Sequence, residues 1–246
     1  MITTVLQRVQ LGFLLLILPF AISVASPPLT FNTAKKIAFE LFSEHKVTLY
    51  CGCEYDRDKQ INLASCNMMT AAPITRANRI EWEHMMPAEH FGRYHQCWTE
   101  KLCVYEETGK AYKGRKCCNK IDPEFRRKEA ELYNLWPAVG SVNQERSNFQ
   151  FAILENKRGY YGCEFEADKE KRLAEPPDRA KGVVARANLF MADRYHVELS
   201  PEQRALFVQW SHQFPPDFWE LAWASQVASI VGYENPYIKV ELADNR

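Results

Sequence analysis

The chain has 246 residues, of which 46% are hydrophobic and 25% charged, with 31 basic residues against 31 acidic ones. That much apolar material excludes wholesale disorder and is enough for one large domain. The zero balance argues neither for nor against a polyanionic partner, so only the local placement of charge is informative.

The first segment reads as a secretion signal. Arg8 supplies a positive start, Leu11 to Ile22 is an apolar run, and Ser23-Val24-Ala25 places small residues for cleavage after Ala25. The run is too short for an ordinary membrane span and contains Pro19, although an uncleaved anchor is the competing reading. We therefore divide the chain into a signal peptide, 1–25, and one domain, 26–246. No later stretch is apolar enough to span a bilayer. Eight cysteines follow, at 51, 53, 66, 97, 103, 117, 118 and 163. An even number behind a secretion signal predicts four disulfides. Neither Cys51-Gly52-Cys53 nor the adjacent Cys117-Cys118 has the usual C-x2-C spacing of structural zinc.

From Asn32 to His45 the apolar residues recur with a helical period, and Asn32 is a suitable N-cap. Residues 50–75 predict loop with a short strand. Ile80 to Met86 predicts a strand ended by Pro87. Residues 96–120 predict an irregular loop held by cysteines. Asp122-Pro123 then opens a helix expected to run to Leu135, where Pro137 stops it. Residues 164–181 predict a surface connection, followed by a helix from Val183 to Tyr195. Ser200 with Gln203 forms a capping box for a helix towards Phe214, Asp217 caps a last helix through Val231, and 236–246 is a tail. Helices dominate, with a few short strands: an α+β domain.

Chemistry concentrates in 76–151. Hydrolysis of a phosphodiester needs a base for water and a cation for the developing charge. His84 is a suitable neutral base near pH 7, and Glu83 is a hard oxygen ligand of the kind Mg²⁺ takes. Adjacent residues of a strand point to opposite faces, so both can serve one site only at the strand's end or at a bend. A zinc site on His84, His90, His95 and Cys97 is the competing local reading, without the H-E-x-x-H helix that would favour it.

The strings EWEHMMPAEHFG, Cys97-Trp98, Gly114-Arg115-Lys116, ELYNLWPAVGSVN and ERSNFQF, with EPPDRAKG and Asn235-Pro236-Tyr237 further on, resemble the endonuclease I family of periplasmic and secreted bacterial nucleases. The resemblance covers about 48 to 238. It implies a disulfide-braced domain built around a ββα-metal, or His-Me finger, motif. It implies His84 as general base, Glu83 and Asn134 as ligands of one Mg²⁺ (or Ca²⁺ or Mn²⁺), and Arg115 on the scissile phosphate. Asn134 would stand near the end of the 123–135 helix, so that strand and helix converge on the cation. It implies 5′-phosphate products. The segment between Cys97 and Arg115 is longer than the family's pattern and carries Cys103, with Cys117 added beside Cys118. The reconciling pairing is Cys51–Cys163, Cys53–Cys66, Cys97–Cys118 and Cys103–Cys117.

Residues 110–128 hold Lys110, Lys113, Arg115, Lys116, Lys120, Arg126, Arg127 and Lys128 against Asp122 and Glu124. Beside Arg115 such a run predicts a phosphate track, which makes Lys116 and Arg127, with Arg79, Asn143 and Arg146, substrate-binding candidates. No recognition helix or zinc finger appears, so contacts are expected to be with the backbone and without sequence preference. The expected protein is a monomeric, periplasmic or extracellular endonuclease acting on double- and single-stranded DNA and on RNA. A non-catalytic nucleic-acid-binding protein of the same fold is the alternative from another class.

Overall fold

A computed structural model describes residues 26–239; the expected signal peptide lies outside them. Nine α-helices and nine short strands follow one another among these residues. In chain order they are α1 (Phe31–Leu41), β1 (Glu54–Tyr55), β2 (Ile61–Asn62), β3 (Ile80–His84), α2 (Ala88–Gly92), α3 (Gln96–Thr99), β4 (Cys103–Val104), β5 (Ala111–Tyr112) and α4 (Arg115–Ile121). Then come α5 (Pro123–Glu129), β6 (Leu135–Val139), α6 (Gly140–Arg146), β7 (Gln150–Phe151), β8 (Glu166–Asp168), β9 (Leu173–Glu175), α7 (Asp178–Tyr195), α8 (Pro201–Gln213) and α9 (Phe218–Val231). The domain is α+β and mainly helical, and no described helix is long and apolar enough to cross a membrane.

The centre is β3 paired antiparallel with β6, His84 opposite Leu135 and Ile80 opposite Val139, with α6 following directly: a ββα unit. The sequence reading gives the first strand, at 80–86, but runs the helix from Asp122-Pro123 on to Leu135 and names no strand at 135–139. Asp122 does cap α5, accepting from the Glu124 and Phe125 amides, with Pro123 at the first position. The helix stops at Glu129 because Glu131 starts a new turn. Its carboxylate accepts the Tyr133 amide and the hydroxyls of Tyr195 and Tyr233, opening a 3-10 turn, Leu132–Asn134. Residues 135–139 then extend with every side chain buried, so no period of two marks them as strand. Pro137 is tolerated because its carbonyl, and hence its nitrogen, faces away from β3; that carbonyl accepts the Leu49 amide.

Other boundaries move for local reasons. The cap of α1 is Thr30, whose hydroxyl accepts the Thr33 amide, so the helix begins one residue before Asn32. Helix α7 begins at Asp178, and the expected surface connection contains β8 and β9. Glu175 at the end of β9 is buried against Lys181 and Lys157. Helices α8 and α9 start as expected, with Ser200 and Asp217 as caps. The cysteine-held loop at 96–120 contains α3, a β4–β5 hairpin and α4. All four disulfides have the expected partners: Cys51–Cys163, Cys53–Cys66, Cys97–Cys118 and Cys103–Cys117. The core around the ββα unit is aromatic: Phe42, Trp136, Trp223 and Tyr133 pack with ring centroids about 5 to 6 Å apart.

Candidate active site

His84 ends β3 and is almost wholly buried. Its Nε2 lies 2.8 Å from the backbone carbonyl of Glu129, at the end of α5. A carbonyl only accepts, so Nε2 carries the proton and Nδ1 keeps its lone pair. The Phe31 ring at the start of α1 lies 4.7 Å from the imidazole. Burial, with the Arg115, Arg146 and Lys35 cations around it, lowers the pKa of His84 to about 3. The imidazole is therefore neutral at physiological pH, the state a base requires.

Arg115 is the first residue of α4. Its Nε donates to Glu129 Oε1 at 2.6 Å, while Glu129 Oε2 accepts from Asn119. One residue thus fixes the imidazole through its carbonyl and the guanidinium through its carboxylate. Arg115 is 46% exposed, with its guanidinium carbon 5.3 Å from the centre of the Phe31 ring. Neither Glu129 nor Phe31 carried a motif that marked it in the sequence; both are found only when the fold brings three segments together.

Glu83 is buried on the other face of β3. Both of its polar contacts fall on Oε1, from the Tyr50 hydroxyl at 2.8 Å and the Arg146 guanidinium at 3.2 Å. Burial raises its pKa in spite of these two partners. Arg146, expected on the substrate track, is 1% exposed and donates to the carbonyls of His84 and Met85. It braces the end of β3 from within and no substrate phosphate reaches it.

Asn134 also departs from expectation. It stands in the 3-10 turn before β6, fully buried. Its Oδ1 accepts the Met86 amide at 2.6 Å and its Nδ2 donates to the Met86 carbonyl at 3.0 Å. Both ends of the amide are engaged by Met86, so the side chain ties the segment after β3 to the turn before β6. Asn143 is the amide that faces outwards. It lies one turn before Arg146 on α6, hence on the same side of that helix, towards β3. It is half-buried and lines a groove of ≈ 1140 Å³ with Arg115, Trp82 and Phe31.

Lys35, Lys36, Lys59 and Arg76 also line that groove, with Glu40 and Glu81 opposing them. Arg76 and Arg79 are both held by Glu81, and Arg79 stays exposed at the rim. These cations come from three separate segments, so no charge run announced them. The run at 110–128 is instead divided. Lys116 and Arg127 are exposed, whereas Lys128 is buried against His95 and Glu124. The zinc reading loses its ligands: Cys97 is disulfide-bonded, His95 binds Asp122, and His90 binds the Asn148 carbonyl. Among the described residues no group of three His, Cys, Asp or Glu side chains is arranged around one ion.

A ββα unit with an imidazole at the end of its first strand, and with a guanidinium that shares Glu129 with it and lines a cationic groove, defines the class, a ββα nuclease fold. The model of the family described as Endonuclease I matches residues 30–241, and the chain belongs to that family. It is 39% identical over 215 residues to an extracellular deoxyribonuclease of Aeromonas hydrophila, covering 85% of this chain and 89% of the relative. A periplasmic deoxyribonuclease of the same organism is 36% identical, covering 93% and 95%. Endonuclease-1 of Buchnera aphidicola subsp. Acyrthosiphon pisum (strain APS) is 35% identical, covering 85% and 80%.

Proposed function

We propose that the chain is a periplasmic or extracellular endonuclease that hydrolyses phosphodiester bonds of DNA and RNA without sequence preference, leaving 5′-phosphates. The relatives named as extracellular and periplasmic deoxyribonucleases support the compartment and the DNA substrate. The observation that carries the reaction is the His84 imidazole: buried, neutral, and held at Nε2 so that Nδ1 is the free base.

His84 Nδ1 takes a proton from a water molecule, whose oxygen bonds to phosphorus as the P–O3′ bond breaks, and the leaving 3′-oxygen takes up a proton from solvent. Arg115, held through its Nε, turns its remaining N–H groups to a phosphate oxygen. Two oxygen donors suit one hard divalent cation: the Glu83 carboxylate, whose Tyr50 and Arg146 contacts both fall on Oε1, and the amide of Asn143, which lines the groove from α6. Glu83 and Asn143, rather than Asn134, would hold it. Mg²⁺ is the expected ion, with Mn²⁺ or Ca²⁺ taking the same place. When bound, it supplies charge stabilisation for the phosphorane and the leaving oxygen. The cations of the groove contact backbone phosphates, which gives binding without base readout and a steep salt dependence.

Plasmid degradation tests the reading. The wild type should cleave with Mg²⁺ and stop in EDTA, and His84→Ala should lose at least about a hundredfold in rate while staying folded. DNA binding without cleavage by the wild type would support the non-catalytic alternative instead.

A further inference from the structure

The hairpin that lengthens the chain before Arg115 is not a loose insertion. It leads through Lys113 and Gly114 straight into Arg115, and Lys113 Nζ donates to the Thr99 carbonyl across its base. Cys103 on β4 is bonded to Cys117, and Cys97 to Cys118, so both sides of the segment are fastened to consecutive residues of α4. Tyr105 and Tyr112 stack on one another across the hairpin, centroids 4.2 Å apart and planes 30° apart. Above them lies Lys116 Nζ, 4.5 Å from one ring and 5.7 Å from the other. A lysine normally keeps its rotamers in solution and loses about 2 kcal/mol of side-chain freedom on being fixed. Here the tyrosine faces hold the ammonium in place before any ligand arrives.

We propose that this hairpin is a substrate-binding arm whose tyrosine pair presents Lys116 to the nucleic-acid backbone one nucleotide step from the phosphate on Arg115. The inference rests on the nuclease reading and adds a second phosphate contact outside the groove. Lys113 stands at the base of the arm and is exposed, whereas Lys110 pairs with Tyr105 beside the turn. The tip is different: Glu106 and Glu107 are exposed there, with Glu106 3.6 Å from Lys120. Their charge turns the backbone away, so contact is confined to the base of the arm beside α4. The ligand is the phosphodiester backbone itself. The two rings cover one face of each other and Lys116 lies over the pair, so what the arm presents is the cation.

The test is binding of a short DNA duplex to the His84→Ala protein with Mg²⁺, between about 50 and 200 mM salt. Lys116→Ala should raise Kd about three- to tenfold and reduce the slope of log K against log salt by about one. Lys116→Arg should restore both. Tyr105→Leu keeps every charge and should raise Kd about twofold with the slope unchanged. Unchanged Kd and slope for Lys116→Ala would overturn the arm. A lost contact in Lys116→Ala with no effect of Tyr105→Leu would overturn the role of the tyrosine pair. The nuclease reading fails separately, if His84→Ala still cleaves plasmid DNA at the wild-type rate.

Discussion

Asn134 and Asn143 carry the same side chain, and the structure gives them opposite work. Asn134→Ala removes two buried hydrogen bonds that join β3 to β6, and should cost about 2–3 kcal/mol of stability in denaturant unfolding. Asn143→Ala removes a groove-lining amide, and should leave the melting temperature near that of the wild type. Its expected effect is on Mn²⁺ affinity measured by calorimetry, which should fall about tenfold or more. Tyr50→Phe removes the hydroxyl that orients Glu83 and should weaken the same titration about tenfold at unchanged fold. A histidine away from the site gives a pH signature. Burial, with Arg146 nearby, lowers His90 from 6.5 to about 4. The unfolded chain therefore takes up that proton first. The contribution to stability is complete above about pH 6.5 and is lost as pH falls to about 4, on the order of 3 kcal/mol. His90→Gln should flatten that limb of a stability-against-pH curve.

At the scale of elements, the ββα unit depends on how closely α6 approaches β3. A Cβ on Gly140 would stand 2.6 Å from the Arg76 carbonyl and 2.9 Å from Glu81 Oε1. Gly140→Ala should therefore push α6 outwards, lowering the melting temperature by several degrees and moving Asn143 away from Glu83. How much of this was legible in the sequence differs by element. The helices with side-chain caps at Asp122, Ser200 and Asp217 were legible because capping is a local interaction. The strand at 135–139 was not, because it is buried on both faces and shows no alternation. Running the preceding helix on to Leu135, past its end at Glu129, also placed Asn134 at a helix end instead of in a turn between elements. His84, Glu83 and Arg115 stood out as chemical residue types in a recognisable string. Glu129, Phe31 and Tyr50 did not, because their roles arise from contacts between segments far apart in the chain.

One long crosslink joins segments far apart in the chain. Cys51–Cys163 closes a separation of 112 residues, whereas Cys53–Cys66 closes 13. Chain entropy assigns about 4–5 kcal/mol to the first and about 3 to the second. Replacing Cys51 and Cys163 by Ser should therefore lower the melting temperature more than replacing Cys53 and Cys66. Cys51 adjoins Tyr50, so the first pair of substitutions should weaken cation binding as well. The imidazole of His84 and the guanidinium of Arg115 are both held by Glu129 at the end of β3, and the Glu83 carboxylate is buried on the opposite face of that strand. The most direct measurement is a crystal structure of the His84→Ala protein with a DNA duplex and Mg²⁺. The account predicts one cation bound by Glu83 and Asn143, with the scissile phosphate on that cation and on Arg115, beside the space left by the imidazole. A cation held by Asn134, or a phosphate seated away from Arg115 and residue 84, would contradict it.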